Sequence, residues 1–422
     1  MVEMNWAGNH TYQAARIHAP RTIADVQQLV AGSAKIRGLG TRHSFNDVAD
    51  NDGDLVTLIG LDPEIELDSV SGSVTVTGGT SYGVLASWLE ERGFGLHNMA
   101  SLPHISVAGA VSTGTHGSGN RNGNLSSAVR ALDIIDPAGE LSTVRRGDPD
   151  FPGAVVSLGA LGIVARVTLD VGPSYRVRQD VYVDVPWEIV LDHFDKVSSC
   201  GYSVSLFTGW TGDILGRMWV KTRLVDGAPH DMPGELFGAR QAASGLGSPA
   251  SESNDNTTVQ GGVPGPWSER LPHFRIDATP SNGDEIQTEY LIRRTDAAAA
   301  LSALRALGPV IEPALLITEL RTVAADDLWL STAYGRDSLA IHFTWKNLPA
   351  LVATVVPRIE HALAPFDPRP HWGKYFQIGH ADIEASYERL PDFVDLVNRR
   401  DPEGKFGNGY LKRVVGIAGA VG

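Results

Sequence analysis

The sequence changes character near residue 175, and this change constrains the fold more than any other feature. Before it, helix-like runs alternate with short apolar strand candidates, at 23–34, 35–40, 54–60, 72–79 and 82–93. After it come short segments of alternating apolar and polar residues, at 176–185, 202–210, 216–224, 286–294, 315–323 and 338–345. A period of two is typical of strands with one buried face. The sequence therefore predicts an α+β protein: a mixed α/β part, then a largely antiparallel sheet flanked by helices.

The length of the chain predicts two domains, because 422 residues are more than one hydrophobic core usually organises. We expect residues 1–175 in the first domain and residues 176–375 in the second. Residues 226–267 are rich in Gly, Pro, Ser and Asn, and the stretch is long for a loop inside a compact domain. We expect it to form a surface excursion that borders a functional site.

Charge and cysteine content exclude several classes of protein. The formal net charge of −14 disfavours contact with nucleic acid or anionic membrane surfaces. Residues 1–30 lack the pattern of a secretory signal, and no apolar run approaches bilayer-spanning length. Cys200 is the single cysteine, so an internal disulfide is impossible and a cysteine-based metal site is disfavoured. These properties favour a cytoplasmic protein with a neutral or cationic small substrate.

Two glycine-rich segments are candidates for a cofactor site. Residues 38–46 join a strand to a stretch without helical pattern, whereas a Rossmann fingerprint needs a third glycine and a following helix. A nicotinamide site is therefore disfavoured. Residues 106–119 consist of small residues that could present successive backbone N–H groups to a diphosphate. The alternative for this segment is an ordinary mobile loop.

Ordered motifs along the whole chain carry a resemblance to a known family. They are 5–9 (NWAGN), 42–46 (RHSFN), 98–106 (NMASLPHIS), 159–164 (GALGIV), 263–267 (VPGPW), 319–322 (ELRT), 342–345 (HFTW), 371–374 (HWGK) and 401–406 (DPEGKF). In these segments the chain resembles the vanillyl-alcohol-oxidase-type FAD oxidoreductases with a PCMH-type FAD-binding domain, and within them the bacterial alditol oxidases. The resemblance implies that residues 376–422 return to the FAD-binding domain.

The same resemblance implies a covalent 8α-histidyl bond between FAD and His43. Without it, a lone loop histidine is more often a surface or hydrogen-bonding residue. Arg42 departs from the small residue often found before this histidine. Ile163 would contact the adenine side, and His116 would have a structural or ribityl-side role. The implied cofactor residues are Gly38, Leu39, Gly40, Thr41, Arg42, His43, Ser44, Ser101, Ser106, Gly109, Ser112, Thr113, Gly114, His116, Gly117, Ile163 and His371.

Two of the later strand candidates carry polar residues on one face. Strand periodicity places Ile317, Glu319 and Arg321 together, and on the next strand it places His342 beside Thr344. Two solvent-facing strips are the common explanation of such alternation. The resemblance instead implies that substrate hydroxyl groups bind Ser101, Glu319, Arg321, Thr344 and Lys374, with His342 close by.

A polyol suits such a set because a missing hydroxyl would leave buried polar groups without partners. In the implied reaction a hydride leaves the carbinol carbon for the flavin, and the hydroxyl proton leaves for a base. We expect the catalytic residues to be Lys374, His342, Arg321 and Glu319. Lys374 is the first candidate for the base because a semi-buried lysine near Arg321 can be neutral, and His342 is the rival. Molecular oxygen would be the acceptor and hydrogen peroxide the product.

Three other functions compete with a monomeric alditol oxidase. A sugar-1,4-lactone oxidase or dehydrogenase of the gulonolactone or galactonolactone type would share the flavin domain, but the polar set from Ser101 to Lys374 argues against it. A flavin- or carbohydrate-binding protein without turnover is the second. A metal site is the third, and the spacing of His97, His104 and His116 lacks a compact ligand pattern, so no metal is expected.

Overall fold

The computed structural model describes residues 3–225, 231–242, 246–249, 256–278 and 284–417. The elements of its N-terminal part are β1 (Arg16–His18), α1 (Ile23–Gly32), β2 (Ile36–Leu39), β3 (Asp54–Thr57), β4 (Ile65–Asp68), β5 (Ser73–Thr77), α2 (Tyr82–Glu90), β6 (Phe94–Gly95), α3 (Val107–Ser112), β7 (Val129–Ile135), β8 (Leu141–Arg145), α4 (Phe151–Val155), β9 (Ile163–Asp170) and β10 (Gly172–Pro173).

The N-terminal part contains two main sheets joined by one layer of apolar side chains. The first is parallel in the order β1-β3-β2, and the second is antiparallel in the order β4-β5-β9-β7-β8. Helix α1 begins with a capping box between Thr22 and Asp25, which satisfies free N–H groups of its first turn. Its buried Val26 packs in one cluster with Val56 of the first sheet and Ile163 of the second. The sequence prediction of a two-part α/β region is confirmed.

The second part follows in chain order. Its elements are β11 (Arg176–Pro186), α5 (Trp187–Ser198), β12 (Ser203–Thr208), β13 (Ile214–Arg223), β14 (Glu235–Leu236), β15 (Ala239–Gln241), β16 (Gly265–Pro266), β17 (Glu285–Arg293), α6 (Ala297–Ala306), α7 (Gly308–Ile311), β18 (Leu315–Val323), β19 (Ser338–Lys346), α8 (Pro349–Leu363) and β20 (Arg369–Pro370).

These strands form one antiparallel sheet of ten strands, in the order β14-β15-β11-β13-β12-β18-β19-β17-β20 with β16 paired to β11. One face packs against α5, α6 and α8, where Leu320, Ile341, Phe343 and Trp345 enter an apolar core. Because side chains alternate along a strand, the residues between them point to the opposite face. The predicted α+β class and antiparallel sheet are confirmed.

The C-terminal segment contains α9 (His380–Ser386), α10 (Leu390–Arg400) and a π-helical turn (Leu411–Val415). It packs against the N-terminal part: Phe393 shares a core with residues of the five-stranded sheet, and Phe406 packs in the α1 cluster. The Asn408 side chain donates to three carbonyl groups of residues 47–50. These contacts agree with the expected return of residues 376–422, while the boundaries at 175 and 375 stay a prediction.

Two local expectations need correction or completion. The sequence pattern does not predict α8, because Pro357 lies inside it, where proline removes a backbone hydrogen bond; Pro349 at its first position is compatible with a helix. Of the predicted excursion, residues 226–230, 243–245 and 250–255 lie outside the described residues. Its described residues include β14 and β15 at one edge of the sheet. Within the described ranges, none of the helices combines the length and apolar character needed to cross a bilayer.

Candidate active site

A cavity of about 870 Å³ is lined by both parts of the chain. Most of the predicted site residues line it: Gly38, Leu39, Gly40, Thr41, Arg42, His43, Ser44, Ser101, Ser106, Gly109, Ser112, Thr113, His116, Ile163, Glu319, Arg321, His342, Thr344, His371 and Lys374. The predicted excursion borders it through Ser248, Pro249 and Asn256. The fold thus brings the two glycine-rich segments and the polar strand faces into one space.

Two predicted residues, Gly114 and Gly117, shape the cavity wall without lining it. Gly114 has φ +65°, a left-handed conformation that glycine adopts without strain. A Cβ atom on Gly117 would lie 2.3 Å from the Met99 carbonyl oxygen and 2.6 Å from Oδ1 of Asn98. Glycine therefore lets this loop pass close to the segment that leads to Ser101.

The turn at residues 40–46 is fixed by the N-terminal NWAGN motif. The side-chain amide of Asn5 donates to the Ser44 carbonyl at 2.9 Å, and that of Asn9 donates to the Phe45 carbonyl at 3.0 Å. Both bonds connect residues almost 40 positions apart in sequence. This motif, far from the other motifs in sequence, therefore positions the turn that carries His43.

Arg42, which departs from the family pattern, adopts φ +65°. This conformation costs roughly 1–2 kcal/mol for a residue with a Cβ atom. The Trp6 N–H donates to the Arg42 carbonyl at 2.9 Å, and the Arg42 guanidinium pairs with Glu3. The left-handed backbone explains why a small residue suits this position, and the two contacts hold the arginine there.

The environment of His43 favours the neutral form of its imidazole ring. The Trp6 ring stacks on it with ring centroids 5.1 Å apart. Its Nδ1 atom is buried, and within the described residues it has no hydrogen-bond partner. Burial, with a smaller contribution from nearby Lys374, lowers the pKa of His43 to about 4. A neutral ring with an unpaired nitrogen is what bond formation to a carbon electrophile requires.

The second glycine-rich segment differs from the expected row of free N–H groups. Residues 107–112 form helix α3, and several N–H groups of the segment bind protein carbonyls. These belong to Val107, Ala108, Ala110, Gly114 and Thr115. The sequence pattern misses the helix because it is only six residues long. The segment meets the cavity through small side chains instead.

One glycine from each glycine-rich segment leaves a narrow cradle beside Ser106. A Cβ atom on Gly40 would lie 2.9 Å from Oγ of Ser106, and one on Gly109 would lie 2.8 Å from the same oxygen. The cavity volume lies in the range of about 300–1,000 Å³ for small-molecule and cofactor sites. His43, whose buried Nδ1 atom has no hydrogen-bond partner within the described residues, also lines this space. The residues present therefore fit a flavin dinucleotide.

The polar residues come from three neighbouring strands in register. His342 of β19 lies opposite Glu289 of β17 on one side and opposite Glu319 of β18 on the other. Thr344 lies opposite Gln287 of β17. These residues line the cavity while their neighbours in sequence face the helices. The alternation predicted for β18 and β19 therefore holds in the structure.

Arg321 lies between two buried carboxylates. Its Nη2 donates to Oε1 of Glu289 at 2.7 Å, and its Nε lies 3.7 Å from Oε1 of Glu319. Its Nη1 donates to the Ser101 hydroxyl at 3.2 Å, which leaves the Ser101 proton free to point elsewhere. Burial opposes the charged form, but the two carboxylates raise the pKa of Arg321 above its ordinary value.

Glu289 is 1% exposed and is the anion on which three cations or imidazoles converge. Besides Arg321, it faces Nε2 of His116 at 3.2 Å and Nδ1 of His342 at 3.3 Å. Burial acts to raise its pKa, but His116, Arg321 and His342 together hold the pKa of Glu289 well below its ordinary value. The site therefore contains a permanent buried negative charge next to Arg321.

Lys374 enters the site from the turn after β20. Its Nζ donates to the Gln287 side-chain carbonyl and lies 4.8 Å from the centre of the Phe45 ring. The side-chain amide of Asn46 donates to the Lys374 carbonyl at 2.7 Å. This bond connects the turn that carries His43 to the turn that carries Lys374. Burial lowers the pKa of Lys374 to about 8, and nearby Glu289 limits the fall.

Glu319 also lies beside His273, which faces the same carboxylate oxygen as Arg321. The Nε2 atom of His273 lies 3.1 Å from Oε1 of Glu319, and its ring stacks on Trp219 with centroids 4.9 Å apart. Burial lowers the pKa of His273 to about 4. Burial acts to raise the pKa of Glu319, but Arg321 and His273 lower it. Glu319 is therefore ionised and fixed in place.

The segment around His273 also supports Ser101. The His273 and Phe274 N–H groups both donate to the Ser101 carbonyl, at 3.0 and 3.1 Å. The buried Lys221 reaches this segment from β13, and its Nζ donates to the carbonyls of Leu271 and Pro272. Lys221 thereby fixes the segment that orients both Ser101 and Glu319.

The two histidines predicted on the cofactor side have different environments. His116 donates from Nδ1 to the Gly117 carbonyl at 2.9 Å. His371 accepts at Nδ1 from the Gly373 N–H at 3.1 Å, and burial lowers its pKa to about 3. Their ring centroids lie 6.1 Å apart. His371 therefore shapes the turn that carries Lys374.

Sequence reasoning missed four residues that complete the site: Gln287, Glu289, His273 and Lys221. The alternation in 286–294 is the same signal that identified Glu319, and it could have found Gln287 and Glu289. His273 and Lys221 reach the site through contacts that no local pattern marks. Within the described ranges, no group of three or more His, Cys, Asp or Glu residues could hold a metal ion.

Two family models match the chain. The FAD binding domain model matches residues 14–145, which include the His43 turn, and the D-arabinono-1,4-lactone oxidase model matches residues 283–414, which include β17 to β19. Each matched segment thus contributes residues to the cavity. The solved cholesterol oxidase of Brevibacterium sterolicum covers 97% of this chain and 96% of its own with a TM-score of 0.76 and 17% identity, which shows a shared fold.

Two curated relatives align along nearly the full length. The L-gulono-1,4-lactone dehydrogenase of Mycobacterium tuberculosis is 29% identical over 98% of both chains. The alditol oxidase of a Streptomyces species is 45% identical over 97% of this chain and 97% of its own. The chain therefore belongs to the alditol oxidase family, within the vanillyl-alcohol-oxidase-type flavoenzymes with an FAD-binding domain.

Proposed function

We propose that this protein is an alditol oxidase that converts a terminal CH2OH group of xylitol, sorbitol or a similar polyol to the aldose. Oxygen would be reduced to hydrogen peroxide, and FAD would be bonded covalently to His43. The observation that carries the proposal is the convergence of Ser101, Glu319, Arg321, Thr344 and Lys374 on the cavity that His43 also lines. The identity of 45% to an alditol oxidase supports the same assignment.

The chemistry of the cavity suits several hydroxyl groups held at fixed positions. Glu319 can only accept hydrogen bonds and Arg321 can only donate them, whereas the hydroxyls of Ser101 and Thr344 can do both. A polyol supplies donors and acceptors for each of these groups. A substrate that lacks one hydroxyl leaves a buried group unpaired, which costs about 1–3 kcal/mol.

The proposed reaction divides its tasks between cofactor and protein. Bound FAD supplies the electron sink for the hydride that leaves the carbinol carbon, and oxygen then reoxidises it. Arg321 would place positive charge near the substrate oxygen that loses its proton. Lys374 and His342 both lie within the cavity as possible proton acceptors.

The covalent attachment rests on the His43 environment. The lowered pKa and the unpaired Nδ1 atom support a ring that is available for bonding. The stacked Trp6 and the bonds from Asn5 and Asn9 would hold that ring in one orientation. The cradle at Gly40 and Gly109 would admit the rest of the cofactor.

Attachment is tested by acid precipitation of the purified protein. We expect the flavin to stay with the pellet of the wild type and to leave in the supernatant of His43→Ala. His104→Ala is the matched control, because His104 lies close enough to His43 to affect its pKa and we expect it to keep the bond. Flavin that dissociates from the wild type would contradict the covalent link.

A sugar-1,4-lactone oxidase or dehydrogenase is the second candidate, favoured by the lactone oxidase model over residues 283–414. The two are separated by peroxide formation in air with xylitol, sorbitol or L-gulono-1,4-lactone as substrate. We expect kcat/KM for xylitol to exceed that for the lactone by at least a factor of about 10, because the open chain pairs more of the buried polar groups. A preference for the lactone would overturn the proposal.

A cytoplasmic location and a monomeric state also stay proposals. The net charge of −14 supports a protein that remains dispersed in solution. Size-exclusion chromatography with light scattering tests the monomer: a mass near 45.1 kDa is expected, and twice that mass would contradict it.

A further inference from the structure

The buried carboxylate of Glu289 has no role in the substrate contacts described above, although it lies at the centre of the site. It comes from the middle of β17, between His342 on the neighbouring strand and the turn that carries Lys374. One oxygen serves Arg321 and His116, and the other faces His342. A buried charge with such partners is costly to maintain unless it performs a function or is well compensated.

The contact with His342 fixes the position of a proton. The Nδ1 atom of His342 lies 3.3 Å from Oε2 of Glu289. A lone pair at Nδ1 would face a carboxylate that can only accept, so the buried negative charge favours the tautomer with hydrogen on Nδ1. Burial lowers the pKa of His342, and Glu289 acts in the opposite direction, so the ring is neutral near pH 7. The lone pair of the neutral ring is then at Nε2. This atom lies 3.3 Å from Oγ1 of Thr344, inside the cavity.

The environment of Lys374 differs from that of a proton acceptor. Its Nζ donates to the neutral carbonyl of Gln287 and lies over the Phe45 ring. Both contacts stabilise an ammonium group, because a carbonyl oxygen accepts a hydrogen bond from it and an aromatic face attracts a cation. As an ammonium group, Lys374 would therefore stabilise negative charge on the substrate oxygen. The ring nitrogen without hydrogen, Nε2, belongs to His342.

We propose that Glu289 is a positioning residue that orients His342 as the proton acceptor of the reaction and holds Arg321 beside it. The arrangement is that of a carboxylate that sets the tautomer of a catalytic imidazole. The O–H bond of the substrate breaks and its proton goes to Nε2 of His342, while the C–H bond breaks and its hydride goes to FAD, which leaves a C=O bond. Glu289 stabilises the imidazolium that forms. This inference rests on the proposed function and extends it to a residue outside the substrate contacts.

The first test is direct and does not require turnover. In protein labelled with ¹⁵N-histidine, the nitrogen shifts distinguish the two neutral tautomers of a ring, and His342→Gln assigns the signal. We expect His342 to carry hydrogen on Nδ1 in the wild type and to lose this preference in Glu289→Gln. A wild-type His342 with hydrogen on Nε2 would overturn the proposal, and this result would not depend on whether the variant folds.

The second test is the rate of anaerobic flavin reduction by xylitol. We expect Glu289→Gln to reduce the limiting rate by about 100-fold or more, because a positioned base contributes about that factor. We expect a smaller change in the xylitol concentration at half-saturation. Removing the anion also lowers the pKa values of His342 and Lys374, both of which Glu289 raises. Both limbs of the pH profile should therefore move to lower pH, and Glu289→Asp should restore part of the rate.

Glu360→Gln is the matched control. Glu360 is a partly buried glutamate of α8 that accepts from the Tyr290 hydroxyl at 2.8 Å, on the helix side of β17. We expect it to alter stability without changing the rate or the pH profile. A Glu289→Gln enzyme with wild-type rate and profile would refute the positioning role. A wild type that no polyol reduces would refute the proposed function instead, and the tautomer measurement would still decide the role of Glu289.

Discussion

Replacing Arg321 with methionine should cost both stability and turnover. The guanidinium lies 2.7 Å from Glu289 and 3.7 Å from Glu319, and all three groups are buried. Unit charges about 4 Å apart interact by roughly 4 kcal/mol at an effective dielectric constant of about 20, and removing one partner of a buried pair costs about 3–5 kcal/mol. An unfolding entropy of about 2.1 cal/mol/K per residue gives about 0.9 kcal/mol/K for the whole chain. We therefore expect Arg321→Met to lower Tm by about 3–6 °C.

The loss should depend on pH in a defined direction. The pKa values of Glu289 and Glu319 are lowered in the folded protein from an ordinary value of 4.5. Their pairing with Arg321 therefore stabilises the fold at neutral pH and is lost as the pH falls and the carboxylates take up protons. The difference in Tm between wild type and Arg321→Met should therefore stay nearly constant from pH 7 to about pH 5 and shrink as the pH falls below the ordinary value of 4.5, as measured by thermal unfolding with circular dichroism.

A matched substitution at the surface separates this effect from loss of any arginine. Arg240 pairs with Asp184 at 2.6 Å, and the two side chains are 69% and 59% exposed. Such pairs contribute about 0–1 kcal/mol, so Arg240→Met should change Tm by about 1 °C or less. Equal losses in the two variants, or an Arg321→Met enzyme with wild-type Tm and turnover, would refute the reasoning.

Two further predictions follow from groups around the substrate residues. If His342 is the base and Lys374 acts as an ammonium, anaerobic flavin reduction by xylitol should slow only in acid below the ordinary titration range of histidine, because the pKa of His342 is lowered. The rate should fall again above about pH 8, where Lys374 loses its charge, and a rate that rises through pH 8 would assign the base to Lys374. Lys221→Met should leave the Leu271 and Pro272 carbonyls unpaired, which costs about 1–3 kcal/mol, and should loosen the contact with Ser101. Steady-state kinetics should then show a larger rise in KM for xylitol than fall in kcat, and an unchanged KM would contradict this role.

Strand periodicity is the part of the site that sequence reasoning predicts well. A period of two places Glu319 with Arg321 and His342 with Thr344 on single faces, and the structure has them so. The same pattern was present around Glu289, but a lone glutamate in an alternating strand is usually solvent-facing. The role of Glu289 depends on which strand lies beside β17. The local sequence does not predict that β17 pairs with β19.

Other features are set by tertiary contacts that no local pattern marks. Lys221 resembles a polar residue of an edge strand, yet it is 1% exposed, and the carbonyls of Leu271 and Pro272 accept hydrogen bonds from its ammonium group. The NWAGN motif is recognisable only through the family resemblance, and its hydrogen bonds to the His43 turn become visible in the fold. Helix α3 replaces the expected open loop because small apolar residues at 107–111 pack into the core.

The most direct test of the account is anaerobic mixing of the purified, acid-stable flavoprotein with xylitol. We propose that a flavin on His43 lies next to a polyol site built by Ser101, Glu319, Arg321, Thr344 and Lys374. Xylitol should bleach the flavin absorbance, and admitting oxygen should restore the colour with formation of one peroxide per flavin. A flavin that stays yellow with xylitol and sorbitol but is bleached by L-gulono-1,4-lactone, or by none of the three, would contradict the central claim.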